Sequence, residues 1–283
     1  MTLFESVILG LIQGLAEFLP ISSSGHLAIF SQLFGLDSGE GQIAFSLLLH
    51  LGTLIAVFIV YYKDIWSLIK SAFTLLHKIF TGRLKKEGLV GDEKFVIWVI
   101  IATLPLVALK ALGLDEAVTD LSGCVWAVGI ILLFNGIVLF FSDGFATGKR
   151  SIGEMKWYNA LAVGICQMFA VLPGLSRSGS TITGGLLNGL NRQQAVRFSF
   201  IVSIPAILGA SVLEVPDLFK QGTTNQQLVI YLVGTAVAAV VGVCAIKLLN
   251  YISKNSNFRM FSYYSWLAGI LAILAGIFEL RFV

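Results

Sequence analysis

The sequence predicts an all-α polytopic membrane protein, built from six transmembrane helices and two re-entrant helical hairpins arranged as an inverted-topology repeat. Three observations lead to this fold class. The 283 residues have a mean hydropathy of +0.88 and only 12% are charged, too few to solvate a folded surface in water. Six apolar stretches are long enough to cross a bilayer, and two others are interrupted near the middle. The whole chain, 1–283, is therefore predicted to be a single membrane domain.

The six predicted spans each carry about twenty mostly apolar residues, the length that one helix needs to cross the hydrocarbon core. They lie at 42–62, 95–114, 122–142, 195–215, 227–250 and 262–282. Two further hydrophobic regions, 3–35 and 157–190, are interrupted by FLPISSSGH and VLPGLSRSGS. Each half is too short to span alone, and irregular backbone is tolerated at membrane depth only inside protein or beside a wet cavity. Both regions are therefore predicted to be re-entrant hairpins.

The distribution of charge predicts the topology. Basic residues concentrate in the loop 63–94 and in 143–156, 192–197 and 247–259, so these connections are predicted to be cytoplasmic. The connections LDSGEG, LDEAVTD and LEVPDLFKQG contain a single lysine and are predicted to lie outside. This threading requires the first hairpin to enter from outside and the second from inside. A net charge of +3 is too small to indicate a nucleic-acid partner.

An internal repeat relates the two halves of the chain, approximately 1–142 and 155–283. A shift of 154 residues pairs six residues with identical ones, namely Gly10, Gln13, Ala16, Ser22, Ser24 and Gly25 with Gly164, Gln167, Ala170, Ser176, Ser178 and Gly179. Each half then consists of one hairpin followed by three spans, and an odd number of crossings inverts the second copy. Inverted repeats with paired broken helices place a binding site where the two breaks meet.

Polar side chains that cannot reach water from an apolar segment are costly, so those in the two breaks are functional candidates. They are Gln13, Glu17, Ser22, Ser23, Ser24 and His26 in the first break, and Ser176, Arg177, Ser178, Ser180 and Thr181 in the second. A serine-rich turn that leads into a helix presents N–H groups and hydroxyl donors, so the expected ligand is an anion. The forked donors of Arg177 match two oxygens of a phosphate.

Four ionisable residues leave alternatives open. Glu17 has the wrong charge to bind phosphate directly, but it could hold a divalent cation that bridges phosphate oxygens, or act as a base. His26 could be a nucleophile, an acid or a base. Arg177 could instead form a buried salt bridge with Glu17 without any ligand. His50, in the middle of a span, is equally suited to a structural hydrogen bond and to a supporting place in the site.

At these residues the chain resembles the bacterial undecaprenyl-pyrophosphate phosphatases of the bacitracin-resistance type, over essentially its whole length. The first motif of that family is Glu or Gln, then Glu four residues later, then a Pro-x-Ser-Ser-x-Gly-His turn. It is present here as Gln13-GLA-Glu17-FLPISSSGH. The second motif, Pro-Gly-x-Ser-Arg-Ser, is present as PGLSRSGST from Pro173. Gln13 replaces the commoner glutamate, which weakens any metal site shared by two acids.

The resemblance implies hydrolysis of undecaprenyl (C55 polyprenyl) diphosphate to the monophosphate and inorganic phosphate, which recycles the lipid carrier of peptidoglycan synthesis. The implied catalytic residues are Glu17, Ser23, His26 and Arg177. The implied substrate-binding residues are Gln13, Ser22, Ser24, His50, Ser176, Ser178 and Thr181. Ser23, His26 and water remain alternative nucleophiles.

The resemblance also implies a setting for the reaction. The protein is expected to be a multi-pass protein of the bacterial plasma membrane, with its active site facing outside. A divalent cation, Mg²⁺ or Ca²⁺, is expected to support activity, with Glu17 as its ligand. The expected partners are the polyprenyl diphosphate lipid and the bilayer, and a homodimer is left open. The alternative function is a transporter or flippase of polyprenyl phosphate, because inverted repeats with broken helices are typical of transporters.

Overall fold

The computed structural model describes residues 1–36, 40–113, 120–220, 224–255 and 257–282, and these are almost entirely helical. The helices are α1 (Leu3–Ala16), α2 (Ser23–Leu33), α3 (Glu40–Val60), α4 (Tyr62–Phe80), α5 (Leu84–Glu87), α6 (Asp92–Ala111), α7 (Val125–Ser142), α8 (Trp157–Phe169), α9 (Arg177–Leu187), α10 (Arg192–Lys220), α11 (Asn225–Asn255) and α12 (Arg259–Phe282). Within these ranges the β pairing is limited to one isolated bridge between Arg150 and Leu190.

Six helices in the described part of the chain are long and apolar enough to cross a membrane, namely α3, α6, α7, α10, α11 and α12. Each overlaps one predicted span, so the predicted all-helical, multi-pass membrane architecture is confirmed. The three connections predicted to lie outside, LDSGEG, LDEAVTD and LEVPDLFKQG, all include residues that fall outside the described ranges.

Each of the two interrupted regions folds into two short helices separated by a turn, as predicted. A proline in each turn prevents the first helix from continuing, because it has no N–H to donate. A serine then starts the second helix of each pair. The hydroxyl of Ser22 accepts the N–H of Gly25 at 3.3 Å, and that of Ser176 accepts the N–H of Gly179 at 3.1 Å. Both breaks therefore present a capped helix start at the same place in the hairpin.

The first helix of each half packs against the other half. Helix α1 packs along α11, and α8 packs along α6. A Cβ added to Gly10 would overlap the carbonyl oxygen of Gly234, and one added to Gly164 would overlap that of Ala102. Gly10 and Gly164 are equivalent in the predicted repeat, so the same close helix crossing occurs twice. The last spans of the halves, α7 and α12, also pack together. This reciprocal packing is consistent with an inverted repeat.

The basic segment 63–94, predicted as a loop, differs from that prediction because α4 and α5 occupy much of it. Along α4, Ile65 and Leu75 are buried while Trp66 and Phe73 are exposed. Polar residues lie between apolar ones along such a helix, so its mean hydropathy is modest. Its composition alone therefore indicates a charged loop. The segment is therefore an amphipathic helix followed by a short basic turn of helix.

Candidate active site

The two breaks meet at a cavity of about 280 Å³, where the repeat predicts a binding site. The polar side chains that the breaks contribute to its lining are Glu17, Ser22, Ser23 and Ser24 from the first break and Arg177 from the second. Further polar lining comes from Ser46, His50, Gln167 and Ser211, while the apolar wall includes Leu47, Leu106, Leu175, Ala206, Ile207 and Ala210. The cavity thus has a charged end and a hydrocarbon wall, which suits a ligand with a polar head on an apolar chain.

Glu17 is the residue on which both breaks converge. It follows the last residue of α1 and is 6% exposed. Its carboxylate accepts hydrogen bonds from Ser23 Oγ at 2.6 Å, from Gln13 Nε2 at 3.1 Å and from the guanidinium of Arg177. His50 Nε2 lies 3.8 Å from the same carboxylate. A buried carboxylate requires partners of this kind, because an isolated charge would be costly to desolvate.

Arg177 begins α9 and provides the positive charge of the cavity. One of its Nη atoms donates to Glu17, so the ion pair that the sequence left as an alternative is present. The other, Nη1, is buried without a partner among the described residues. Arginine stays charged, so this free donor is suited to a second anionic oxygen. Arg177 is the first residue of α9, where the helix dipole has its positive end.

His26 lies on the same turn but does not line the cavity. Its Nδ1 is 2.7 Å from the carbonyl oxygen of Ser22, so that nitrogen carries a proton and donates. Its Nε2 then accepts from the hydroxyl of Tyr264 at 2.8 Å, and the two rings stack with centroids 5.5 Å apart. Sequence grouped His26 with Glu17 because both belong to one motif, but the first turn of α2 directs the imidazole toward α12. Tyr264 was not identified from the sequence.

The three predicted phosphate ligands of the second break, Ser176, Ser178 and Thr181, are not among the cavity-lining residues. Ser176 Oγ caps α9 and lies 3.1 Å from Ser178 Oγ, which also donates to the carbonyl of Leu19 at 3.4 Å. The Thr181 hydroxyl lies 2.6 Å from that of Ser199 on α10. In this structure these hydroxyls hold α9 against the first break and against α10. The predicted ligands Ser22, Ser23, Ser24 and His50 do line the cavity, whereas Gln13 reaches it only through Glu17.

Asn135 joins the two breaks and was missed by the sequence analysis. It lies in α7 and is fully buried. Its Nδ2 donates to the carbonyl of Pro20 in the first break at 3.1 Å and to Ser265 Oγ at 3.1 Å. Its Oδ1 accepts the N–H of Ser176 in the second break at 3.1 Å. The sequence signal for Asn135 is a lone asparagine in the apolar run LLFNGIV, since a polar residue at membrane depth is a functional candidate by default.

The carboxylate of the cavity suits a divalent cation that takes most of its ligands from phosphate and water. The described residues contain no cluster of three His, Cys, Asp or Glu side chains that could hold a metal ion. Glu17 is the single carboxylate among the described lining residues. Beside it, Gln13 Oε1 is a buried acceptor without a partner within the described ranges. A single carboxylate fits Mg²⁺ held mainly by phosphate and water, because Mg²⁺ usually binds proteins through one or two carboxylates.

Comparison with known proteins finds relatives along nearly the whole chain. The family described as bacitracin resistance protein BacA matches residues 6–271. A protein of Alkaliphilus metalliredigens is 41% identical over 278 residues, which cover 97% of this chain and 98% of that protein. Proteins of Methanosphaera stadtmanae and Halothermothrix orenii are each 38% identical, over 97% and 98% of this chain and 98% and 100% of their own lengths. All three are named undecaprenyl-diphosphatase.

Proposed function

The chain belongs to the family of the bacitracin resistance protein BacA, and we propose that it hydrolyses undecaprenyl diphosphate to undecaprenyl monophosphate and inorganic phosphate. The names and coverage of its relatives support the reaction. The observation in this chain that supports the hydrolysis is the convergence of Glu17, Ser23 and Arg177 at one cavity with an apolar wall. The transporter alternative gains no support from relatives that are named as diphosphatases.

The charged end of the cavity is suited to the terminal phosphate. Nη1 of Arg177 and the N-terminus of α9 would bind its oxygens, and the undecaprenyl chain would lie along the wall that includes Leu106, Ile207 and Ala210. Phosphoryl transfer depends mainly on positioning and on neutralising charge at the equatorial oxygens. Arg177 supplies both, because one of its Nη atoms is held by Glu17 and the other is free to bind a phosphate oxygen.

Ser23 is the nucleophile that the geometry favours. Its hydroxyl donates to the Glu17 carboxylate at 2.6 Å, the arrangement of a nucleophile with its base. Ser23 Oγ would attack the terminal phosphorus while its proton passes to Glu17, and the bridging P–O bond would break to release undecaprenyl monophosphate. Water would then cleave the phosphoserine, which restores the serine and releases inorganic phosphate. His26 would act indirectly, by holding the carbonyl of Ser22 and hence the turn.

We propose that a divalent cation, Mg²⁺ or Ca²⁺, supports the reaction, with Glu17 as its protein ligand. When bound, such a cation neutralises part of the negative charge on the diphosphate. Glu17 keeps its place as the acceptor from Ser23 and the partner of Arg177.

The proposed location is the bacterial plasma membrane, with the cavity open to the outside and the product returned to peptidoglycan synthesis. The distribution of lysine and arginine in the connections supports this orientation. Six apolar helices in the described residues support a multi-pass membrane protein. A homodimer stays an open prediction.

The test is inorganic phosphate release from undecaprenyl diphosphate by purified protein in detergent. We expect activity that falls when a chelator removes divalent cations, and that falls about a thousandfold in Arg177→Ala, the size of effect that a transition-state charge contact supplies. Arg192→Ala is the matched control, because Arg192 also begins a helix and pairs with an acid, Asp143, at 3.2 Å, but lies outside this cavity. Full activity in a folded Arg177→Ala variant would refute the proposed site.

A further inference from the structure

Helix α4 carries a continuous row of exposed large apolar side chains, which we call the α4 stripe. It consists of Tyr62, Trp66, Ile69, Phe73, Leu76 and Phe80, each 40–86% exposed. Their spacing of three or four residues places them on one face of the helix. The α4 stripe lies outside the six candidate spans and away from the cavity. It therefore requires a partner that the hydrolysis reaction does not provide.

The contacts of α4 show how it is oriented. Ser67 donates to Asp92 at 2.5 Å and Lys78 lies 2.8 Å from Glu93, so two positions eleven residues apart on α4 meet consecutive residues at the start of α6. Eleven residues of helix extend about 16 Å. A helix with such contacts crosses the end of α6 instead of running beside it. Because α6 is a candidate span, α4 lies across the end of a span, at the level of a membrane surface.

A second span is tied to the start of α4. Asp64 accepts from Arg197 of α10 at 2.6 Å. The guanidinium of Arg197 also lies 5.2 Å from the ring centroid of Phe95 on α6. The α4 helix is thus held against the N-terminal ends of both α6 and α10.

Basic residues line one edge of the α4 stripe. Lys63 lies over the ring of Tyr62 at 5.8 Å and Lys70 lies over that of Trp66 at 5.4 Å, and both lysines are exposed. Residues 62–88 contain six lysines and arginines but only two acids. Both acids have partners, Asp64 with Arg197 and Glu87 with Lys78 at 3.6 Å. The charge that remains beside the α4 stripe is therefore positive.

From these observations we propose that α4 is an interfacial helix that binds anionic lipid headgroups. The α4 stripe inserts at the boundary between headgroups and acyl chains. Lys63, Lys70 and the exposed Arg83, Lys85 and Lys86 bind headgroup phosphates. Aromatic and apolar residues on one face with lysines at the edge are typical of helices that lie in this boundary. A second copy of the chain is a poorer occupant, because two stripes packed together would bring their lysine edges close to each other.

The test uses the full chain in detergent and measures its melting temperature during titration with phosphatidylglycerol or phosphatidylcholine. We expect phosphatidylglycerol to raise the melting temperature more. Lys63→Gln/Lys70→Gln should need about tenfold more phosphatidylglycerol for the same rise, because each lysine near an anionic surface contributes to binding. Lys247→Gln/Lys254→Gln is the matched control, since it removes two exposed lysines from α11 and should retain the response.

Insertion of the α4 stripe is tested separately in phosphatidylglycerol vesicles that contain brominated acyl chains. Wild-type protein should lose a larger fraction of its tryptophan fluorescence than Trp66→Phe, because Trp66 lies at the bromine depth. Equal responses to the two lipids, equal losses in the two double variants, or no difference between wild type and Trp66→Phe would each overturn the proposal. An oligomer that dissociates in Phe73→Ser would also overturn it, by assigning the α4 stripe to a second copy.

Discussion

The two breaks of this protein have nearly the same helix start. In each, a serine caps the second helix, Ser22 in the first break and Ser176 in the second. In each, the capping hydroxyl lies close to that of the serine two residues later, at 3.3 Å for Ser24 and 3.1 Å for Ser178. In each, the capping hydroxyl also accepts the N–H three residues later, that of Gly25 in the first break and that of Gly179 in the second. What is duplicated is a capped helix start.

The chemistry of the two breaks differs at equivalent positions. The residue after the cap is Ser23 in the first break and Arg177 in the second, and the position of Glu17 is taken by Val171 in the second. A symmetric pair of acids or of arginines at one buried cavity would repel each other, whereas the observed arrangement places opposite charges in contact. The proposed site therefore takes Glu17 and Ser23 from the first half and Arg177 from the second, and we expect activity to depend on how the two halves are aligned.

The largest expected effect tests whether Glu17 and Arg177 act as one unit across the two halves. Glu17→Gln and Arg177→Gln should each reduce phosphate release about a thousandfold. The double variant should be little worse than either single one, because residues that act together are strongly non-additive. Release is measured from undecaprenyl diphosphate with equal amounts of folded protein. A double variant whose loss equals the product of the single losses would show that the two breaks contribute independently.

Asn135 offers an intermediate effect, because it joins the two breaks without lining the cavity. In Asn135→Leu the carbonyl of Pro20 and the N–H of Ser176 lose their shared partner. We expect kcat to fall about a hundredfold while KM changes little, since a displacement of about 1 Å has this cost in catalysis. Steady-state kinetics measure both constants.

The control for Asn135 is Ser265→Ala. It removes one hydrogen bond from the same amide but leaves the link between the breaks, so its activity should stay near that of wild type. Equal losses in the two variants, or a loss confined to KM, would mean that Asn135 does not set the distance between the breaks.

Much of the architecture could be predicted from sequence because it depends on local pattern. Long apolar runs identify the spans, and a proline with serines identifies each break, since a bilayer leaves few alternatives for the backbone. The α4 helix was not predicted, because its lysines indicated a basic loop, although its apolar residues have helical spacing. Charge density and helical periodicity are separate signals, and in this segment only the periodicity identifies the helix.

The sequence predicted which residues lie in each break, and the predicted inverted repeat implied that the two breaks meet. The contacts of Glu17 with Ser23 and Arg177 agree with that prediction. The directions of side chains within a turn are set by packing, so the sequence did not show that His26 faces Tyr264 or that Thr181 bonds to Ser199. Asn135 bonds to Pro20 and Ser176, which lie 115 and 41 residues away, and no local pattern encodes such pairs.

The smallest expected effect concerns the one backbone difference between the two caps. Ser22 has φ 72°, the only non-glycine residue with a positive φ in the described ranges, whereas Ser176 has φ −70°. Glycine at position 22 relieves about 1 kcal/mol of backbone strain and costs a few tenths of a kcal/mol because the capping hydroxyl is lost. Glycine at position 176 relieves no strain and increases the conformational entropy of the unfolded chain. Ser22→Gly should therefore raise the melting temperature in detergent and Ser176→Gly should lower it, each by about 2 °C. Shifts of the same sign would mean that the strained turn is held by its neighbours at no cost, and the two caps would then be energetically equivalent.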